Sequence, residues 1–391
     1  MLRQARDGRQ ANHTVAAGCA GQVLQEGALR RRAPYVAVDQ SDARFERCTH
    51  HRAIRRAHRH RDGDLRDRQP HQRRSRRCGA SRQRGARHPR NRGAQRSRDV
   101  PVRIAPKTRA AVLSEALPHL QRFNGQIIVV KYGGNALAES TEDSMEVFAR
   151  DIALLQTVGM KPVVVHGGGP QITALMDRLG KKPTFHNGLR VTDAETIEIV
   201  SMVLLGTVNP MLVSLINKSG ADAAGVSGHD MGLFTCVQRD SALGFVGDVT
   251  SVNPAAVRGL LDDGVVPVVA TVGTDGTGQM YNINADTAAS ALAVALGAAK
   301  ILFLTDIAGV MRDPNDAESL IPTLTAKQVA ALVADGVISG GMVPKVESCL
   351  HAVKGGVAAA HILDGRLAHV TLLELLTDTG VGTMFVADSA S

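Results

Sequence analysis

The chain has 391 residues, room for two average domains or one large α/β domain, and a formal charge of +9. That charge belongs to one end: residues 1–100 hold 26 Arg, no Lys and nine acids, a formal +17, and the remainder holds 20 basic and 28 acidic residues, a formal −8. The main body is therefore a mildly acidic globular chain, and a nucleic-acid or membrane partner is not expected for it.

Cys19, Cys48, Cys78, Cys236 and Cys349 form no C-x-x-C pair. That excludes a disulfide framework and a zinc pattern, and it fits a reducing, cytoplasmic compartment. No apolar run reaches the ~18 residues that span a bilayer. The N-terminus has no apolar signal-peptide core, and an organellar transit peptide would be richer in Ser and poorer in acids.

Residues 1–105 read as an Arg-rich extension, disordered or non-native. A nucleic-acid arm would mix Lys and aromatics with its Arg. Arg without Lys is what GC-rich DNA gives when read outside its ordinary frame, and this reading is favoured over an ordinary disordered tail.

Order is predicted from about residue 106 to the end. Residues 108–122 have helical apolar spacing, with an interruption expected near Pro118. Ile127–Val130 is a fully apolar strand. Helix follows at 143–158, strand at 162–166 and helix at 170–179. A long helical stretch covers 193–217, then a short strand at 223–226 and a hairpin-like segment at 233–250. Helix 255–263, strand 265–271, helix 285–297 and strand 301–305 continue the alternation. Helices at 325–334 and 343–354, strand 359–363, helix 371–377 and strand 383–386 complete it. Buried apolar strands alternating with helices predict an α/β fold: an open, mainly parallel sheet sandwiched between helices. Ligands in such sheets bind beyond the C-terminal strand ends, and the chemistry-bearing motifs fall there.

Lys131-Tyr132-Gly133-Gly134-Asn135 follows the first strand. Its glycines let the backbone approach a phosphate, and its Lys supplies a point charge; a plain strand-to-helix turn reads the same way. His166-Gly167-Gly168-Gly169-Pro170 places consecutive N–H groups at a helix N-terminus, an anion site; His166 itself reads as a hydrogen-bonded loop residue. Asn187-Gly188-Leu189-Arg190-Val191-Thr192 offers an Arg that grips a carboxylate or stays a surface charge. Tyr281-Asn282-Ile283-Asn284-Ala285-Asp286 opens a helix, as caps or as substrate ligands. Thr305-Asp306-Ile307-Ala308-Gly309 follows a strand as a nucleotide loop, and Gly340-Gly341 precedes Lys345 at a helix entrance. Walker A and G-x-G-x-x-G sequences are absent, which disfavours P-loop and Rossmann enzymes. Fixed donors without a nucleophile suit phosphoryl transfer to an already ionised acceptor.

In this order, KYGGNA, VVVHGGGPQI, NGLRVTD, YNINADTAA, LTDIAGV and GGMVPKV closely resemble the amino-acid kinase family, and within it the acetylglutamate kinases. The resemblance runs from about residue 108 to 386. Related carbamate, uridylate, aspartate and glutamate 5-kinases share the early glycine loops but not the NGLRVT and NINAD pair.

It implies ATP-dependent phosphorylation of the side-chain carboxylate of N-acetyl-L-glutamate, an early step of arginine biosynthesis. Residues 126–265 would bind acetylglutamate and 266–391 ATP. Lys131 and Lys345 would flank the migrating phosphoryl group and Asp286 would orient them. Gly133 and Gly134 would donate to the phosphates, Gly168 and Gly169 to acetylglutamate. Arg190 would hold its α-carboxylate, and Asn282 would also contact it. Asp306, Gly309, Gly340 and Gly341 would line the ATP site. Magnesium would ride on the phosphates, with no protein-held metal. The arginine-inhibited subgroup is implied by the first helix, which there interlaces dimers into a hexameric ring. It is also implied by His361, Glu374, Gly380 and Gly382, which there cradle the effector arginine. His119 departs from the aromatic residue common in that helix.

Overall fold

The computed structural model of the chain describes residues 105–133, 142–186 and 188–388. The readings made for the Arg-rich extension through residue 104, and for Gly134, Asn135 and Asn187, lie outside the described residues.

In chain order the elements are α1 (Pro106–Phe123), β1 (Ile127–Tyr132), α2 (Glu142–Thr157), β2 (Lys161–His166) and α3 (Gly169–Arg178). A hairpin, β3 (Phe185–His186) and β4 (Leu189–Arg190), leads to α4 (Ala194–Val203), a π-helical turn Leu204–Val208 and α5 (Asn209–Lys218). Then come β5 (Ala223–Ser227), β6 (Phe234–Gln238), β7 (Val246–Val252), α6 (Ala255–Asp262), β8 (Val266–Ala270), β9 (Val272–Thr274) and β10 (Met280–Ile283). The chain finishes with α7 (Ala285–Leu296), β11 (Lys300–Thr305), β12 (Thr323–Thr325), α8 (Ala326–Ala334), α9 (Met342–Lys354), β13 (Ala359–Asp364), α10 (Val370–Leu376) and β14 (Thr383–Val386).

The main sheet has the order β12-β14-β13-β11-β1-β2-β8-β5. All its pairings are parallel except β13 with β14. The expected open, mainly parallel sheet is therefore present, with helices on both faces. Side chains alternate across a strand, so β1 feeds two cores. Val129 joins the core under α7 and α9, and Ile128, Val130 and Tyr132 join the core under α2, α4 and α5. Each fully buried Ile or Val contributes about 1.5–3 kcal/mol. The same alternation turns Lys131 toward the α7 and α9 face. The catalytic candidate is thus aimed by strand periodicity.

The hairpin-like segment is β6 and β7, but the structure extends it into a closed four-stranded barrel, β10-β7-β6-β9. Closure demands small residues: a Cβ on Gly247 would lie 2.7 Å from that of Tyr281. β9 and β10 are too short and too polar for their sequence to announce them.

Two expectations need correction. Helix α1 runs through Pro118 without a break. Pro118 has no N–H to offer the Ser114 carbonyl, but Ser114 lies on an exposed stretch of the helix, where an unpaired carbonyl costs little. Second, Ala194–Lys218 is one 25-residue helical run with a mean hydropathy of 2.1 in its most apolar window, apolar enough by length and composition to cross a bilayer. Scattered polar residues hid its continuity. Its buried side chains, among them Val200, Val203, Leu212 and Ile216, belong to the core on the α2 face.

Candidate active site

Lys131 ends β1 with only 4% of its surface exposed. Asp286 sits in the first turn of α7, where Asn284 caps the helix by accepting from the N–H groups of Asp286 and Thr287 at 2.9 and 3.1 Å. Lys345 lies in the first turn of α9. These elements meet at one carboxylate. Lys131 Nζ is 2.7 Å from Asp286 Oδ1, and Lys345 Nζ is 3.4 Å from Oδ2. The Lys131 contact is an ion pair without hydrogen-bond alignment. Burial pushes the Asp286 carboxyl up, but the two ammonium groups outweigh it, and the net shift is downward. The carboxylate stays ionised and holds two cations side by side.

A cavity of about 300 Å³ opens beside them, lined by Gly168, Gly169, Arg190, Asn282 and Thr271 as well as by this trio. Arg190 is buried; its Nη2 donates to the Gly169 carbonyl at 2.9 Å and to Thr173 Oγ1 at 2.8 Å. The guanidinium also stacks over the Phe185 ring at 4.8 Å. Burial pulls its pKa down, and among the described residues no carboxylate pairs with it. A buried, uncompensated guanidinium is a receptor for an anion. Asn282 donates to Thr192 Oγ1 at 3.4 Å.

The glycine loop is braced from behind. His166 is fully buried, and its Nδ1 contacts the Gly167 carbonyl at 3.0 Å. Its Nε2 faces the Asn209 amide at 3.0 Å. Burial holds this imidazole at about 4, so it is neutral and structural. Gly168 has no room for a side chain, because a Cβ there would meet Leu204 of the π-helical turn at 2.7 Å. Gly133 abuts the Gly167 N–H in the same way, at 3.2 Å.

A second cavity, about 750 Å³, shares Asp286 and Lys345 and adds Gly340, Gly341, Thr287 and Arg239. The two cavities therefore adjoin at Asp286 and Lys345, which line both. The amino acid kinase family profile matches residues 126–364. The chain belongs to the amino acid kinase family. The acetylglutamate kinase of Synechococcus elongatus is 51% identical over 279 residues, 71% of this chain and 92% of that protein. Among solved structures, the N-acetylglutamate synthase of Neisseria gonorrhoeae complexed with coenzyme A and N-acetylglutamate is similar, with a TM-score of 0.63 at 26% identity. The match covers 72% of this chain and 64% of the synthase, so the chain spans under two thirds of that protein. The same synthase complexed with coenzyme A and L-arginine gives a TM-score of 0.61 at 26% identity, covering 71% and 65%.

On this amino acid kinase fold, Asp306 and Gly309 follow β11 but line neither cavity. Asp306 accepts from Thr305 Oγ1 at 2.9 Å. Gly309 has a φ of +152° and packs its backbone against Thr383 of β14. His361, Glu374, Gly380 and Gly382 are brought together elsewhere, in a cavity of about 380 Å³ that includes His119, Phe123 and Lys300. There His361 Nδ1 lies 2.7 Å from Glu374 Oε1, and the Val381 N–H donates to Oε2 at 2.9 Å. His361 is wholly buried, and burial lowers its pKa against the pull of Glu374. His119 reaches Asp378 at 3.0 Å.

Sequence reasoning missed Thr271, Leu204 and Lys300. Thr271 follows β8 at its C-terminal end, where ligand sites of parallel sheets form, so that rule would have flagged it. Leu204 is one apolar residue in an apolar helix, and Lys300 is a lone Lys before a strand; neither carries a signal.

Proposed function

We propose that this chain transfers the γ-phosphoryl group of ATP to the side-chain carboxylate of N-acetyl-L-glutamate, giving N-acetyl-L-glutamyl 5-phosphate and ADP, an early step of arginine biosynthesis. The observation that carries the reading is the Lys131–Asp286–Lys345 trio, with Lys131 and Asp286 buried and Lys345 half-buried, in one cavity with an uncompensated Arg190. The similarity to acetylglutamate kinases supports the choice of acceptor.

Arg190 receives the α-carboxylate, and Asn282 with the Gly168 and Gly169 backbone fixes the rest of the substrate. A side-chain carboxylate oxygen then attacks the γ-phosphorus in line, the bond to the β,γ-bridging oxygen breaks, and the electron pair leaves with ADP. Lys131 and Lys345 neutralise the charge spread over the migrating group. The acceptor is already ionised, so no general base is needed. ATP enters as its magnesium complex. Asp286 has both oxygens committed to lysines, and the described residues contain no cluster of three metal-ligating side chains. When bound with the nucleotide, the ion would supply further neutralisation of the phosphate charge. Gly133, Gly340 and Gly341 serve the nucleotide side, as do Asp306 and Gly309 of the loop after β11. Residues 126–265 serve mainly acetylglutamate, and 266–391 mainly ATP.

Arginine occupies the cavity that holds His361 and Glu374, its guanidinium facing Glu374 and the Gly380–Gly382 turn, and it feeds back on the rate. The chain works in the cytoplasm as a homo-oligomer of the hexameric type. Exposed Val112, Leu113 and Leu117 of α1 offer apolar surface to another copy. Hydroxylamine trapping of the acyl phosphate tests the activity, with N-acetylglutamate, glutamate and aspartate compared, with and without arginine, and Lys131→Ala as blank. Turnover of another acceptor alone would overturn the substrate, and a rate indifferent to arginine would remove the effector.

A further inference from the structure

The segment that carries Arg190 is a hairpin held at both roots. Its C-terminal root is tied by backbone bonds: the Thr192 N–H donates to the Leu243 carbonyl at 2.9 Å, and the Phe245 N–H to the Thr192 carbonyl at 2.7 Å. The N-terminal root is different. Helix α3 ends at Arg178; two residues on, Gly180 with a φ of +76° turns the chain, and the Lys181 N–H donates back to the Met176 carbonyl at 2.9 Å. This closing bond fixes the Lys181 backbone. From there its Nζ donates to both oxygens of Asp193, at 2.9 and 2.8 Å, and to Glu195 Oε2 at 2.7 Å. Lys181 is the sheltered partner, 19% exposed, whereas Asp193 and Glu195 are 60% and 67% exposed. Asp193 is also the N-cap of α4, accepting from the Thr196 N–H at 2.8 Å. One ammonium group therefore ties the C-terminus of α3 to the N-terminus of α4, across the base of the hairpin. Within the hairpin the Val191 N–H donates to the Thr184 carbonyl at 2.9 Å. Next to this bond Phe185 and Arg190 form a register pair, inboard of His186 and Leu189, and stack on each other where both line the cavity.

We infer that Lys181 is a positioning residue: its ion pairs latch the β3–β4 hairpin at the base and thereby set where Arg190 meets the substrate carboxylate. This rests on the acetylglutamate reading above for its kinetic consequence, but not for its structural one. The α-carboxylate keeps its charge through the reaction, so its grip is uniform binding and acts on KM rather than kcat. The partners are solvent-exposed, so the latch weakens as salt screens it.

The test compares wild type, Lys181→Ala and Lys181→Arg in initial rates with acetylglutamate varied at saturating MgATP, at low and high salt. Amide hydrogen exchange is followed in parallel over residues 182–192 of the ligand-free proteins. Lys181→Ala is expected to raise KM for acetylglutamate about fivefold, the size of two exposed ion pairs, with kcat and KM for ATP unchanged. Added salt should raise KM in both proteins by screening the anionic substrate, but more steeply in wild type, so that the gap between them closes. Lys181→Arg, which also pairs with two carboxylates, should restore the wild-type KM. Exchange at 182–192 should speed up in Lys181→Ala alone. Equal KM values and equal exchange in wild type and Lys181→Ala overturn the latch. A wild type that never phosphorylates acetylglutamate overturns the functional reading instead, and exchange then decides the latch by itself.

Discussion

Asp286→Asn is the most informative single change in the proposed active site. It keeps the size of the side chain and its place in the first turn of α7, and it removes the negative charge between Lys131 and Lys345. Those ammonium groups stand 2.7 and 3.4 Å from the carboxylate oxygens. At an effective dielectric of about 20, such separations correspond to gross attractions of roughly 6 and 5 kcal/mol. Desolvation offsets much of this, and removing one partner of a buried pair typically leaves a net cost of about 3–5 kcal/mol. The ligand-free variant is therefore expected to lose about 3 kcal/mol of unfolding free energy at pH 7, because the buried Lys131 and the half-buried Lys345 lose their counter-ion. MgATP should recover part of the loss, since its phosphates supply the missing charge. Turnover should fall about 10²–10³-fold, because the lysines no longer hold their geometry in the transition state, whereas KM for ATP should not rise. The net pKa of Asp286 is lowered in the folded state. Its contribution is thus present above the unfolded carboxylate range and is lost as pH falls through the folded value. The stability gap between wild type and variant should be constant near neutrality and narrow in acid. Denaturant unfolding with and without MgATP, paired with hydroxylamine trapping, measures all of this. Wild-type turnover in Asp286→Asn, or a gap that fails to narrow in acid, would refute the reasoning.

Arg190→Lys keeps the charge but loses the planar fork that bonds Gly169 and Thr173 and stacks on Phe185. KM for acetylglutamate should rise about 10- to 100-fold, with kcat changed far less, as steady-state kinetics would register. His166, held at about 4, refuses a proton that the unfolded chain accepts below about 6.5. Wild type should therefore lose stability as pH falls from about 6.5 toward 4, by up to about 3 kcal/mol. Urea midpoints at pH 7 and pH 5 should show a smaller loss in His166→Gln; equal losses would contradict the assignment. Glu374→Gln removes the carboxylate expected to face the effector's guanidinium. Inhibition by arginine should weaken by about tenfold or more, as for a lost charge-assisted bond, with the rate in the absence of arginine close to wild type.

Most of the sheet was legible because its strands are short, fully apolar and separated by helices of clear period. β1, β2, β11, β13 and β14 fall within a residue or two of where the pattern places them. Lys131, Arg190 and Asp286 were legible as residue types in glycine-flanked positions, and the structure brings them to one cavity. Other parts depend on contacts that no local pattern encodes. The barrel exists because β9 and β10 find β6 and β7 across the chain. Leu204 reaches the glycine loop only because a π-helical turn shifts the register of the long helix, and nothing in LLGTV distinguishes that turn from an α-helical one. Pro118 shows the converse: a reliable breaker signal was overridden on an exposed stretch of helix around Ser114, where a missing backbone bond costs little. Lys181 was invisible for a third reason, since its meaning lies in two carboxylates on the far side of a hairpin.

The charge inventory of the substrate cavity also bears on why an acetylated acceptor suits it. Lys131, Lys345 and Arg190 bring three positive charges to its walls, and Asp286 is the one acid among the described residues that line it. Both Asp286 oxygens are already engaged by lysines. Acetylglutamate presents two carboxylates and a neutral amide, so each of its charges meets a cation and its nitrogen needs only a backbone partner. Free glutamate would place an ammonium group in the same space, with no unengaged carboxylate among the described lining residues to receive it. An unpaired charge taken out of water costs several kcal/mol, and the cationic walls add to that cost. Discrimination between the two acids then follows from the rejection of a charge rather than from the fit of a methyl group. An apolar pocket alone separates such substrates weakly, whereas unpaired polar groups separate them strongly. The comparison of acetylated with free glutamate therefore reads out the electrostatics of the Lys–Asp–Lys trio as well as the identity of the acceptor.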